Sequence, residues 1–148
     1  MSTSLAEPTA VSGTPSFTRF FPIAARILLG LMFFVFGLNG FLNFIPPPTT
    51  PMPEASMAFA GALMATGYMM PLIKGVEVLC GLLLLVNRFV PLALTLLAPV
   101  IVNIVAFHVF LAPMGMVMTI IIALLEIYLA WAYRDAFRPM LAPRVRPS

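Results

Sequence analysis

Apolar residues fall in long runs along this chain, and the breaks between the runs carry most of its prolines and charges. From Phe20 to Ile45 the polar interruptions are Arg26, Asn39 and Asn43. At about 1.5 Å per residue, a helix of that length crosses a hydrocarbon core of about 30 Å. The segment IPPPTTPMPE, Ile45 to Glu54, ends it, because consecutive prolines remove backbone donors and push the residues before them away from helical dihedrals. Met57 to Met70 (MAFAGALMATGYMM) is uncharged but short, with Gly61 and Gly67 inside. It reads as an interfacial or re-entrant helix, or else as the first part of a long, broken second span. Pro71 marks a start, and Leu72 to Val86 forms a second membrane segment closed by a turn at Asn87 and Arg88. Phe89 to Leu111 is a third span, with Pro91 in its first turn and Pro99 deep enough to kink it. After a tight reversal at Ala112 to Gly115, Met116 to Tyr133 is the fourth.

The pattern predicts an all-α, polytopic membrane protein: a four-transmembrane-helix bundle with a short interfacial or re-entrant helix between the first and second spans. The Ser-, Thr-, Pro- and Ala-rich start lacks the apolar periodicity of a packed element. This gives a disordered tail at 1–18, a membrane domain at 19–137 and a second disordered tail at 138–148. Arg19 is the first basic residue, and the apolar run after it is too long for the core of a cleavable signal.

Composition narrows the class. With 61% hydrophobic and 9% charged residues, and a mean hydropathy of +1.06, no soluble domain of 148 residues could bury its apolar surface. A net charge of +3 is compatible with nucleic-acid binding, but the basic residues sit at the ends of apolar runs instead of forming a stripe, so no nucleic-acid partner is expected; the lipid bilayer is. One cysteine, Cys80, excludes an intrachain disulfide or multi-cysteine cluster, and one histidine, His108, excludes bis-histidine haem ligation within a chain. No metal site is expected, and no phosphate-binding loop, dinucleotide fingerprint or nucleophile motif occurs. Gly30 and Gly37, two turns apart, should allow close helix packing.

Arg19, Arg26, Arg88, Arg134, Arg138, Arg144 and Arg146 all fall on one side of a four-span model, whereas the proline-rich loop and the reversal before Met116 hold no Lys or Arg. Positive residues mark the cytoplasmic face, which places both termini there. Helical rise then assigns depths. Asn39 and Asn43 fall in the outer half of the first span, Lys74 and Glu77 in the outer half of the second, and Asn103 and His108 about 21 and 28 Å along the third. Six polar residues converge at one depth. Lys74 and Glu77, three apart, can neutralise each other, or Glu77 can face His108 or Asn103; an unpaired membrane charge costs about 2.5 to 3.5 kcal/mol. The same residues read equally well as interhelical glue, at about 0.6 kcal/mol per contact. On the cytoplasmic side, Arg26 and Glu126 lie at matching depths and are expected to form a structural ion pair between the first and fourth spans.

Several short features in a fixed order resemble the DoxX family of small four-helix membrane proteins. They are Arg26 opening the first span, the Gly67 to Pro71 turn (GYMMP), Glu77 followed by Gly81, the Asn87-Arg88 turn, and His108 near the end of the third span. The resemblance covers Arg26 to about Phe137. It implies a subunit of a quinone-linked redox assembly in a bacterial plasma (inner) membrane, with quinone as the cofactor and further redox subunits as partners. With no cysteine pair or flavin motif in this chain, any oxidoreductase activity would pass its electrons through the quinone or a partner. Two other readings stay open: a carrier of small substrates acting as a homo-oligomer, and a non-catalytic membrane scaffold.

Overall fold

The computed structural model describes residues 20–143, so the expected tail at 1–18, Arg19, Arg144 and Arg146 lie outside the described residues. Its elements are α1 (Phe20–Leu42), α2 (Glu54–Ala65), α3 (Met69–Leu85), α4 (Val90–Phe110), α5 (Met116–Ala132) and the single turn α6 (Arg134–Phe137), with 3₁₀ turns at Pro113–Gly115 and Arg138–Leu141. No strand occurs among the described residues. The region beyond Phe137 is thus not irregular throughout, as expected from its prolines. Pro139 falls in the first turn of the second 3₁₀ element, where a missing N–H costs nothing.

α1, α4 and the Pro113–Ala132 stretch are each long and apolar enough to cross a membrane. α3 has 17 residues, about 25 Å, and reaches that length only together with α2, from which it is bent by 92°. The corner is built locally. Gly67 takes φ +75°, its N–H bonds to the carbonyl of Met64, and Thr66 Oγ1 donates to Leu63 O while accepting from Met69 N. α3 begins two residues before Pro71, because proline is tolerated in a first helical turn.

Two asparagines close helices. Asn43 (φ 50°) caps α1 by donating its N–H to Asn39 O at 2.9 Å. Asn87 (φ 56°) caps α3 in a Schellman arrangement, with Arg88 N to Leu83 O at 3.0 Å and Asn87 N to Leu84 O at 3.3 Å. α4 runs through Pro99 as one continuous helix.

α1 and α3 pack closest, and glycine makes this so. A Cβ on Gly81 would lie 2.5 Å from the backbone nitrogen of Phe34, and one on Gly37 would lie 2.9 Å from that of Val78. The two backbones therefore touch where membrane helices gain most from van der Waals contact. The core joins Leu29 and Phe33 of α1, Cys80 and Leu84 of α3, Leu94 and Leu97 of α4, and Ile122 and Leu129 of α5. The outward faces, including Leu31, Leu79, Val102 and Ile127, are exposed and apolar, as the lipid-facing surface of a bundle must be.

Candidate functional site

At the end of the bundle that carries the proline-rich loop, Lys74 Nζ donates to Glu77 Oε2 at 2.8 Å, and only 5% of the Glu77 side chain is exposed. The i, i+3 spacing puts both on one face of α3, and the methylenes of Lys74 lie against Gly40, whose missing Cβ gives them room. Glu77 Oε1 has no partner among the described residues.

Lys74 lines three cavities, and Glu77 lines two of them. The central one, about 280 Å³, is bounded by Met32, Phe33 and Phe36 of α1, Lys74 and Glu77 of α3, Ile104 and His108 of α4, and Gly115, Met118, Thr119 and Ile122. A second, about 190 Å³, lies beneath α2 and shares Lys74, Glu77, Ile104 and His108, with Asn103 added. A third, about 220 Å³, holds Asn39, Asn43 and Lys74. The other five polar residues placed at this depth by the sequence each share a cavity wall with Lys74, but in separate compartments. Asn39 also serves the backbone: its Oδ1 accepts from Ile45 N at 2.7 Å, fixing the chain as it leaves α1.

His108 Nδ1 lies 2.9 Å from Ile104 O. A carbonyl only accepts, so Nδ1 carries the hydrogen of this bond, and the tautomer it selects has its acceptor lone pair on Nε2. The ring rests on Gly115, where a Cβ would collide with Nε2 and Cδ2. Phe107 packs edge-on to the ring at 5.2 Å and meets Phe59 of α2 at 5.7 Å, tying the bent α2–α3 corner to the same place. Thr119 Oγ1 donates to Gly115 O at 3.1 Å.

Gly115 and Thr119 escaped the sequence reading. The sequence reading places Gly115 in the reversal before the fourth span and does not single out Thr119 within it. The signal was their closeness in sequence to His108 across a three-residue reversal, which forces the start of α5 alongside the end of α4.

The opposite end departs from expectation. Arg26 and Glu126 do not form an ion pair; among the described residues the ion pairs are Lys74–Glu77 and the exposed Arg138–Asp135. Arg26 Nη1 instead donates to Leu84 O and, at 3.4 Å, to Leu85 O. These are terminal carbonyls of α3, which carry the negative end of the helix dipole and lack the i+4 donor of the helix interior; Leu84 O shares its second lone pair with the capping N–H of Asn87. Glu126 is buried at 8% exposure, and its Oε2 has no hydrogen-bond partner. No cluster of three or more His, Cys, Asp or Glu able to hold a metal occurs among the described residues.

A family model described as DoxX matches residues 21–112, from the start of α1 to the end of α4. No curated protein and no solved structure matches the chain.

Proposed function

The chain belongs to the DoxX family, and from that premise we propose that it is a small membrane subunit of a quinone-linked redox assembly, which binds a quinone head group in its central cavity. One observation carries the reading. A half-buried ion pair and a histidine line a cavity otherwise bounded mainly by Met, Phe and Ile, the arrangement that suits a ligand with a polar head and an apolar body.

The donor set fits such a group. Lys74 offers ammonium hydrogens to a ring oxygen, while Glu77 and His108 Nε2 can each accept from a hydroxyl. Met32, Phe33, Phe36 and Met118 exclude water and flank the ring face. When bound, the quinone supplies the two-electron chemistry; the chain's own residues orient the head and hold protons at Glu77 and at His108 Nε2. In this reading the site lies in the outer leaflet of a bacterial inner membrane, with both termini cytoplasmic, as the distribution of arginines supports.

A second reading draws on a different observation: Lys74, Glu77 and His108 stand between the central cavity and the one beneath α2, as residues on the route of a small-substrate carrier would.

Binding of ubiquinone and menaquinone analogues to the purified protein in nanodiscs tests the first. Saturable binding is expected, weakened about tenfold or more in folded Glu77→Gln and His108→Ala proteins. Absence of binding in the unsubstituted protein, with substrate flux in liposomes, would move the second reading ahead.

A further inference from the structure

The hydrogen-bonding polarity of the central cavity selects between the two redox forms of its ligand, an inference that rests on the quinone reading above. Four polar side chains reach this cavity: Lys74, Glu77, His108 and Thr119. Three of them have already committed their hydrogens or have none. Glu77 is paired with Lys74, and its free Oε1 can only accept. His108 uses its Nδ1 hydrogen on Ile104 O, which leaves a lone pair on Nε2. Thr119 spends its one hydroxyl hydrogen on Gly115 O, and its oxygen lone pairs remain. Lys74 alone has N–H groups to give, and one of them is held by Glu77.

Acceptors therefore outnumber donor side chains by three to one. A quinone carbonyl only accepts, so it can meet Lys74 but leaves the other three facing it unsatisfied. A hydroquinone carries two hydroxyls, each able to donate to an acceptor, and either can still accept from Lys74. Leaving a buried acceptor without a donor loses affinity, whereas the same atom bonded to a hydroxyl gains it. We infer that the cavity is a hydroquinone site: it holds the reduced, hydrogen-bond-donating head group in preference to the oxidised one, and Glu77, His108 Nε2 and Thr119 Oγ1 set that preference.

Gly115 belongs to the same device. The imidazole occupies the space a side chain would need there, so the position of Nε2 depends on the absence of one. Gly115 is a positioning residue for both neighbours: it touches the His108 ring, and its carbonyl accepts the Thr119 hydroxyl.

The test compares three short-tailed probes on the protein in nanodiscs under anaerobic conditions: decyl-ubiquinol, decyl-ubiquinone, and the dimethyl ether of the quinol, which keeps the ring oxygens as acceptors, adds a methyl to each and loses both donors. The expected order is quinol tightest, by about tenfold over quinone, with the ether weakest. Thr119→Val, nearly isosteric, is expected to weaken quinol binding and to tighten quinone binding by removing an acceptor the quinone cannot satisfy, a split that general loosening of the bundle would not produce. Equal or tighter binding of quinone overturns the inference and leaves the quinone reading standing. Ether binding equal to that of the quinol also overturns it, since donors would then be irrelevant. If none of the three probes binds, the quinone reading itself fails.

Discussion

The two charged residues expected to meet at the Asn87 end show what each ionisable side chain asks of a membrane interior. Arg26 has five donors, and the nearest groups in need of hydrogens are the last carbonyls of α3, so it serves as an interhelical cap. Arg26→Met is expected to lower stability by about 1.5 to 3 kcal/mol, since it withdraws a charged donor from buried carbonyls. Glu126→Gln replaces a carboxyl with an unpartnered oxygen by a neutral amide of the same shape, and is expected to leave the melting temperature in detergent unchanged or raised. The double variant should show the sum of the two effects. A coupling above about 0.5 kcal/mol in a thermal-unfolding cycle would instead reveal a direct interaction. Lys74–Glu77 was legible in the sequence because i, i+3 spacing fixes a contact within one helix. The partner of Arg26 was not, because its acceptors are backbone atoms that become free only where α3 happens to end.

Among the elements, α1 and α3 depend most on small residues, and the glycines of the two helices are not equivalent. Gly81→Ala would press a methyl against the backbone of Phe34, and is expected to cost about 1 to 3 kcal/mol or to separate the helices. Gly75→Ala, six residues earlier on α3, meets nothing within 4 Å and should be neutral or slightly stabilising through helix propensity. Thermal melts of the two proteins in the same detergent make the comparison, and equal losses would argue against a backbone-to-backbone contact. Apolar run lengths revealed α1, α4 and α5 almost to the residue, because in lipid the run and the helix coincide. α2 was harder to place. Its expected span, Met57 to Met70, became Glu54–Ala65, because Thr66 and Gly67 turn the chain before the apolar run is over. Hydropathy does not register a change of direction. The approach of Gly115 to His108 was hidden for a related reason: it depends on how two antiparallel helices rotate about their axes, which a run of apolar residues leaves undefined.

At the scale of the molecule, an apolar belt surrounds a bundle whose polar atoms gather at two depths, and the sidedness of the reading above is open to direct test. Thr50→Cys, in the proline-rich loop, is expected to react with an impermeant thiol reagent on intact bacterial cells, and Asp135→Cys only after permeabilisation, while buried Cys80 stays silent. The reverse pattern would invert the orientation and move the cavity to the inner leaflet. Trp131 and Arg134 support the assigned boundary, since the guanidinium sits 4.9 Å over the indole at the end of α5, where a ring and a charge can share the interface. The brevity of α3 also bears on biogenesis. A 17-residue helix that carries a lysine and a glutamate is a poor substrate for insertion on its own, whatever its stability once packed. During synthesis it emerges after α1 and before the strongly apolar α4, so its entry into the bilayer has to be cooperative: α1 provides the glycine-lined partner surface, and α4 follows as the segment that completes a hairpin. The helix bearing the Lys74–Glu77 pair is then expected to become committed to the membrane only once α4 has emerged, later than its place in the chain would suggest.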